Sequence, residues 1–456
     1  MSFCIQELLS SGVNSSKEKI CSGFGLELLA QDGLGKVLGE SNRVSRERFF
    51  SARVCLWLFL NQVLSKDKSC RAAVSRFAAY LSAQGKKSCS TLNSSYCRAR
   101  SHLCESTLAQ LVRTTGQELE KHSKAWHWKG RPVKMVDGCT VTMADTKANQ
   151  KEYPQIPQQK PGLGFPIIRL CAVLSLASGA VLDLAMGPYS GKGTGETSLF
   201  RSLFNNLNKG DVILGDRYFC SYWIIALLMQ LEIDCVFRLH QLRQNKKRFR
   251  LSQGDWLIQW QKPDRASWLE KALYKLIIPN LKLRLVRINV SHRGYRTQRL
   301  WVVTTLLDNK QFSRQDIAEL YGYRWQIELD IRNIKQSIQM DFIRCKSPEM
   351  VRKEVWIHLL AYNLIRKIMA QAAERKLIKP REISFTATVQ LIGAFNSMFL
   401  LIDVEKIETL YEKMLVTIAT HHLPKRPGRS EPRKLKRTKD HYPVMKLPRH
   451  NLNKAA

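Results

Sequence analysis

The sequence predicts a mixed α/β fold, preceded by a helical region and interrupted by a β-rich insertion. Three observations carry that reading. Between residues 126 and 240, short apolar runs recur, and two of them end in an acid. Segments of helical spacing separate several of these runs, which is the order of an α/β domain. Strict period-two alternation then returns within a strongly basic stretch, at Leu281-Lys-Leu-Arg-Leu285.

The elements follow in order. Residues 1–125 read as helical: Arg71–Leu81 has helical apolar spacing, and Gln84-Gly-Lys-Lys87 interrupts it before the basic stretch Thr91–Arg100. Helix, glycine turn and basic helix fit a helix-turn-helix that binds DNA, and equally an ordinary helical hairpin with a solvated basic face. The first part of the α/β domain, 126–240, opens with Val133-Lys-Met-Val-Asp137, an apolar run entering an acidic turn. Ile167–Leu176 and Ala180–Leu184 flank Ser178-Gly179 as two strands joined by a tight turn. Helical spacing over Thr197–Leu207 ends at Lys209-Gly-Asp211, and Val212-Ile-Leu-Gly-Asp216 is a further strand ending in an acid. Ser221–Leu231 is a helix and Cys235–Leu239 a strand.

Residues 241–299 form the insertion; through residue 300 it holds fifteen Lys and Arg against Asp255, Asp264 and Glu270. Ser291-His-Arg-Gly294 reads as a turn. The α/β pattern resumes over 300–376, with one helical stretch from Ser313 to about Met340 and another from Val355 to about Arg375. A helical C-terminal region spans 377–423. The tail, 424–456, carries eleven Lys and Arg against two acids, and five prolines forbid a long helix in it.

Composition narrows the function. The 456 residues include 73 Lys and Arg against 38 Asp and Glu, a net charge of +35. Such a chain repels itself unless it meets a polyanion, and nucleic acid is the commonest one. The apolar runs Trp223–Leu231 and Leu56–Leu60 are far shorter than the roughly 20 residues of a spanning helix, so no membrane role is expected. No secretory signal opens the sequence, and the twelve cysteines contain no Cys-x-x-Cys pair. A thiol-state protein of the cytoplasm is the expectation.

In a chain so basic, acids at the ends of apolar strands stand out. Asp137 and Asp216 both fit, with Asp145 in a weaker context. Each has an ordinary alternative: an Asp before Gly, as in Asp137-Gly138, is a common turn residue. Tyr321, Arg324, Glu328 and Lys335 are spaced so that, on one continuous helix, they share a stripe about 60° wide. Asp330 points to the opposite side. A salt-bridged solvent face, with Glu328 and Arg332 at i,i+4, would also account for the pattern.

The Tyr321-x2-Arg324-x3-Glu328-x6-Lys335 spacing, with Asp137 in Val-Asp-Gly and Asp216 in Leu-Gly-Asp-Arg-Tyr, resembles the DDE transposases of bacterial insertion sequences. The branch is the one named for its Tyr-Arg-Glu-Lys motif, the insertion-sequence-four family. Asp145–Gln150, Gln159–Pro166, Gly187-Pro-Tyr and Arg426–Arg433 resemble that family as well, over about residues 125 to 440.

The resemblance implies a ribonuclease-H-like catalytic domain in which Asp137, Asp216 and Glu328 are the catalytic acids. They would bind two divalent cations, normally Mg²⁺, with Mn²⁺ as a substitute. Phosphodiester exchange needs one oxygen activated and another stabilised as it leaves, and paired hard cations on carboxylates suit both tasks. Uncompensated carboxylates would otherwise repel and raise one another's pKa. The implied reaction is cut-and-paste transposition through a hairpin, on double-stranded DNA carrying terminal inverted repeats and on target DNA. A homodimer on paired ends is implied too, in the bacterial cytoplasm at the nucleoid.

Tyr321, Arg324 and Lys335 are then assigned to DNA phosphates. Arg217 and Tyr218 would touch the scissile or flipped nucleotide. A tryptophan of the insertion, Trp256, Trp260 or Trp268, would stack on a flipped base. The helical region 1–125 would recognise the terminal repeat. Two other readings fit part of the pattern: a structure-specific nuclease on the same fold, and a non-catalytic DNA-binding or repressor protein.

Overall fold

Apolar residues alternate along the central strands and feed two separate cores, one on each face of a single sheet. The structure is a computed structural model and describes residues 49–83, 85–240, 248–289, 299–399 and 406–423. The basic tail 424–456 with its Arg426–Arg433 run, residues 1–48 and the Ser291–Gly294 turn lie outside the described residues.

The strands are β1 (Val133–Met143), β2 (Ile167–Ser175), β3 (Val181–Pro188), β4 (Val212–Gly215), β5 (Asp234–Arg238), β6 (Arg248–Ser252), β7 (Asp255–Gln261), β8 (Asn280–Asn289), β9 (Arg299–Thr304) and β10 (Phe342–Ile343). Their order is β3-β2-β1-β4-β5-β9-β8-β7-β6, with β10 beside β1. β2 is antiparallel to both of its neighbours, β1 and β3, and β4 and β5 run parallel to β1. Gly179, at φ +77°, makes the β2–β3 turn that the Ser178-Gly179 pair predicts. The insertion does not form a sheet of its own: β9 pairs antiparallel with β5, so the basic strands extend the central sheet.

The helices are α1 (Ala52–Leu64), α2 (Cys70–Ala83), α3 (Ser94–Ser101), α4 (Glu105–His122), α5 (Lys147–Glu152), α6 (Glu196–Arg201), α7 (Tyr222–Gln230), α8 (Lys271–Leu276), α9 (Arg314–Gly322), α10 (Trp325–Arg332), α11 (Pro348–Arg375), α12 (Phe385–Phe399) and α13 (Ile407–Thr420). Met135, Ile168, Leu214 and Val236 face a core shared with α1, α4 and α11. Val136, Ile213 and Phe237 face the other core, with Phe200 of α6 and Ile224 and Leu228 of α7. Central strands buried on both faces read as unbroken apolar runs, which is why these were legible. Ser221 caps α7 through the Ile224 amide, and Ser313 and Asp316 close a capping box on α9.

Several expectations are corrected. Asp137 does not end a strand or sit in a turn: β1 runs on to Met143, and Asp137 pairs with Ala172 of β2 in mid-strand. The stretch from Ser313 to Met340 is not one helix. It breaks at Tyr323–Arg324, between α9 and α10, and Asn333–Ser337 forms a π turn. The long helix α11 starts at Pro348 rather than Val355, because a proline is tolerated at a helix's first position.

The basic surface is thinner than the charge count suggests. Arg100 of α3 turns inward, donating to Gln62 with its guanidinium over the Phe59 ring. Arg284 of the insertion is fully buried in a two-point pair with Asp255 and also donates to the Phe312 carbonyl.

Candidate active site

β1 has a strand partner on one side along most of its length, but not on the other. β4 pairs with it over Val133–Met135 and β10 over Thr142–Met143. Between them, residues 136–141 form a notch with no strand partner on that side among the described residues. Open edge in mid-sheet is where side chains and ligands can approach a strand. Asp137 stands at the start of this notch, on the same strand face as Met135.

Asp216 follows directly on β4, the strand that stops short there, and its carboxylate accepts from the Tyr218 amide at 2.7 Å. It lies near enough to raise the Asp137 pKa. Burial is the larger cause and pushes the Asp137 carboxyl up to about 7; Asp216 and Glu196 add repulsion, while the Gly138 amide and Arg324 oppose the rise.

Two members of the Tyr-Arg-Glu-Lys group, Arg324 and Lys335, act on β1 from the helix side. Arg324 donates to Glu328 Oε1 at 2.7 Å, and its charge acts on Asp137 as well. One guanidinium thus serves two of the acids. Lys335, on the π turn, donates to the Thr140 carbonyl of β1 at 2.9 Å, inside the notch. π turns are common at functional positions in helices. Tyr321 is buried, and burial pushes its hydroxyl up to about 12, so it is a neutral group near Arg324 and Asp216. Lys335 thus bonds to β1 and Arg324 ties Glu328 electrostatically to Asp137, in spite of the helix break.

One acid was missed by sequence reasoning. Glu196, at the start of α6, lies against Gly138: a Cβ on that glycine would come within 2.3 Å of the Glu196 carboxyl carbon. Gly138 is therefore a close-approach glycine, not a turn glycine. Burial raises the Glu196 pKa, with Asp216 adding repulsion and Arg169 opposing it. The Asp-Gly dipeptide was the available signal, but nothing local pointed to residue 196.

The remaining candidates separate. Tyr218 is exposed beside Asp216, with the Arg217 guanidinium 5.4 Å from its ring centre. Trp260 is buried and Trp256 packs on Trp301 at 5.3 Å between ring centres. Trp268 is 42% exposed, and the Arg201 guanidinium of α6 lies 3.6 Å from its ring centre. Asp145 accepts from Gln150, which also donates to the Gly164 carbonyl, so it ties the loop after β1.

Among the described residues, no three acidic, His or Cys side chains converge closely enough to hold a metal ion as they stand. The donor set nevertheless suits a hard dication: oxygen ligands only, with Asp137 short of counter-charge. One Glu328 oxygen is already paired with Arg324.

Residues 128–364 match the family model described as Transposase DDE domain. The chain is 25% identical over 369 residues to "Transposase InsG for insertion sequence element IS4" of Escherichia coli K12, covering 79% of each chain. It is 34% identical over 68 residues to a transposase for insertion sequence element IS421 of Escherichia coli, 15% of this chain and 18% of that one. A cryo-EM structure of a piggyBac transposase synaptic complex with hairpin DNA aligns over 94% of this chain and 86% of its own, at 11% identity and a TM-score of 0.43.

Proposed function

From the premise that the chain belongs to the Transposase DDE domain family and is an insertion-sequence transposase, we propose that it performs cut-and-paste transposition with Asp137, Asp216 and Glu328 as its catalytic acids. The observation that carries this reading is the notch in β1. There a carboxyl raised to about 7 stands beside Asp216, and Arg324 links it electrostatically to Glu328. The strand order β3-β2-β1-β4-β5, with β2 alone antiparallel between β1 and β3, supports a ribonuclease-H-like reading of the sheet.

Two divalent cations on the three carboxylates, Mg²⁺ or Mn²⁺, would supply Lewis-acid stabilisation of the attacking and leaving oxygens. The protein's own groups do the rest. Arg324 and Lys335 offer charge-assisted bonds to the phosphates flanking the scissile bond, and Tyr321 a neutral one. Tyr218 and Arg217 extend that surface outward from Asp216. Trp268 is the tryptophan we assign to a flipped base at the hairpin stage, because it is partly exposed, with Arg201 on one face of its ring, while Trp260 is buried and Trp256 packs on Trp301. The helices of residues 1–125, and a dimer on paired terminal inverted repeats, belong to the same proposal.

No helix among the described residues is long and apolar enough to cross a membrane. We place the reaction at the nucleoid.

The test is incubation of the full chain with DNA carrying the flanking element ends and Mg²⁺. Hairpin-ended product, lost in Glu328→Ala, is expected. Cleavage without joining of precleaved ends would favour a nuclease instead, and DNA binding without any nicking would leave only a repressor.

A further inference from the structure

We propose that Asp330 is a positioning residue, and that its clamp by Arg366 and Arg381 sets the rotation of the helix that presents Glu328. The proposal rests on Glu328 being the third catalytic acid. Residues i and i+2 of an α-helix lie about 200° apart, so α10 presents Glu328 toward Arg324 and Asp330 toward the core. Glu328 is 37% exposed and Asp330 only 1%.

A buried carboxylate is costly unless it is fully paired. Asp330 is: Oδ1 accepts from Arg366 Nη2 at 2.5 Å, from the Tyr362 hydroxyl at 3.2 Å and from Arg381 Nη1 at 3.2 Å, and Oδ2 from Arg381 Nη2 at 2.9 Å. The two guanidiniums are anchored in turn. Arg381 donates to the carbonyls of Ser175, at 2.8 Å, and Leu176, at the end of β2. β2 is the strand that pairs with Asp137 through Ala172. Arg366 packs against Gly179 of the β2–β3 turn, where a Cβ would come within 2.9 Å of its guanidinium carbon.

One carboxylate thus fastens the helix of the third acid to the hairpin that supports the first. Stability alone would be served as well by an apolar contact of similar volume. The forked geometry of two guanidiniums on one carboxylate adds direction, since it admits one rotation of α10. Lys335, bound to Thr140, holds the other end of the same segment.

Arg381→Ala and Arg381→Lys test this in the full chain, because Arg381 lies at the rim of the cluster and its loss leaves Arg366 on Asp330. Three quantities are read: amide hydrogen exchange over 325–332 against that over 356–370, end-DNA affinity, and cleavage in Mg²⁺. Arg381→Ala is expected to speed exchange in 325–332 alone, to leave end-DNA affinity unchanged and to slow cleavage by about 10–100-fold, as outer-shell losses do. Arg381→Lys is expected to recover part of both. Native exchange and native cleavage in Arg381→Ala, with Glu328→Ala inactive, would overturn the clamp. Native cleavage in Glu328→Ala would instead overturn the assignment of the acid, and the exchange data would still decide the clamp. Should Arg381→Ala not fold, Arg381→Lys decides: unchanged exchange and cleavage overturn the proposal, and a selective loss in both supports it.

Discussion

Arg324 holds Glu328 at 2.7 Å while its charge also acts on Asp137, so a protein cation stands between two acids proposed to take metal ions. Glu328 Oε1 is taken by Arg324, so binding a cation through both carboxylate oxygens requires that pair to open. A DNA phosphate is the natural competitor for the guanidinium.

DNA and divalent cation should therefore bind with positive coupling. By calorimetry, Mg²⁺ or Mn²⁺ should bind tighter to the end-DNA complex than to the free chain. Arg324→Gln should bind cation at least as well as the parent without DNA. It should lose roughly 10–100-fold in end-DNA affinity, the worth of a charged hydrogen bond. Weaker cation binding in that variant would show that Arg324 supports the metal site rather than occluding it.

The Asp137 carboxyl sets a pH dependence. Its pKa rises from 3.8 to about 7 on folding, so the folded state favours the protonated form. Its stabilising effect is complete below about pH 4 and is lost as pH climbs through 7. Without divalent cation, Asp137→Asn should then be the more stable protein at pH 8, by on the order of 1–3 kcal/mol, and should show no such gain at pH 4. Urea titrations at the two pH values give the comparison. Equal stability at pH 8 would remove the uncompensated carboxylate.

Trp268 and Trp260 should respond in opposite ways to truncation. Trp268→Ala should unfold like the parent and lose hairpin formation by roughly 10–100-fold, the worth of about 1–3 kcal/mol of base stacking. Trp260→Ala should destabilise the fold by about 3–5 kcal/mol. Hairpin yield on end DNA and thermal unfolding separate them. Undiminished hairpin yield in Trp268→Ala would return the stacking role to another residue.

Lys335 reaches the Thr140 carbonyl in the notch, and we have proposed it as a phosphate contact. Lys335→Ala should weaken end-complex formation more than cation binding, and lower the slope of log affinity against log salt by about 1. An unchanged salt slope with unchanged DNA affinity would contradict the phosphate assignment.

Local pattern made much of the frame legible. Gly179 announces the β2–β3 turn because only glycine takes positive φ cheaply, and Ser221 announces α7 because its hydroxyl caps an exposed amide. Buried central strands show as apolar runs wherever both faces are covered. Pattern failed where a neighbour distant in sequence decided the outcome. Asp137-Gly138 reads as a turn because local statistics cannot see Glu196 resting on that glycine. The helical periodicity from 313 to 340 cannot reveal the break between α9 and α10, or the π turn that sets Lys335 against the Thr140 carbonyl.

The sequence by itself determined the residue types proposed for phosphate chemistry, their spacing, and most of the central strands. Only the tertiary structure decided which side chains meet. It turned Arg324 onto Glu328, buried Asp330 between two arginines, folded Arg100 and Arg284 into the interior and brought Glu196 to the strand of Asp137. The reason is physical: backbone periodicity and capping act over a few residues, whereas the pairing of buried charge depends on surfaces that exist only after the sheet and its helices have packed.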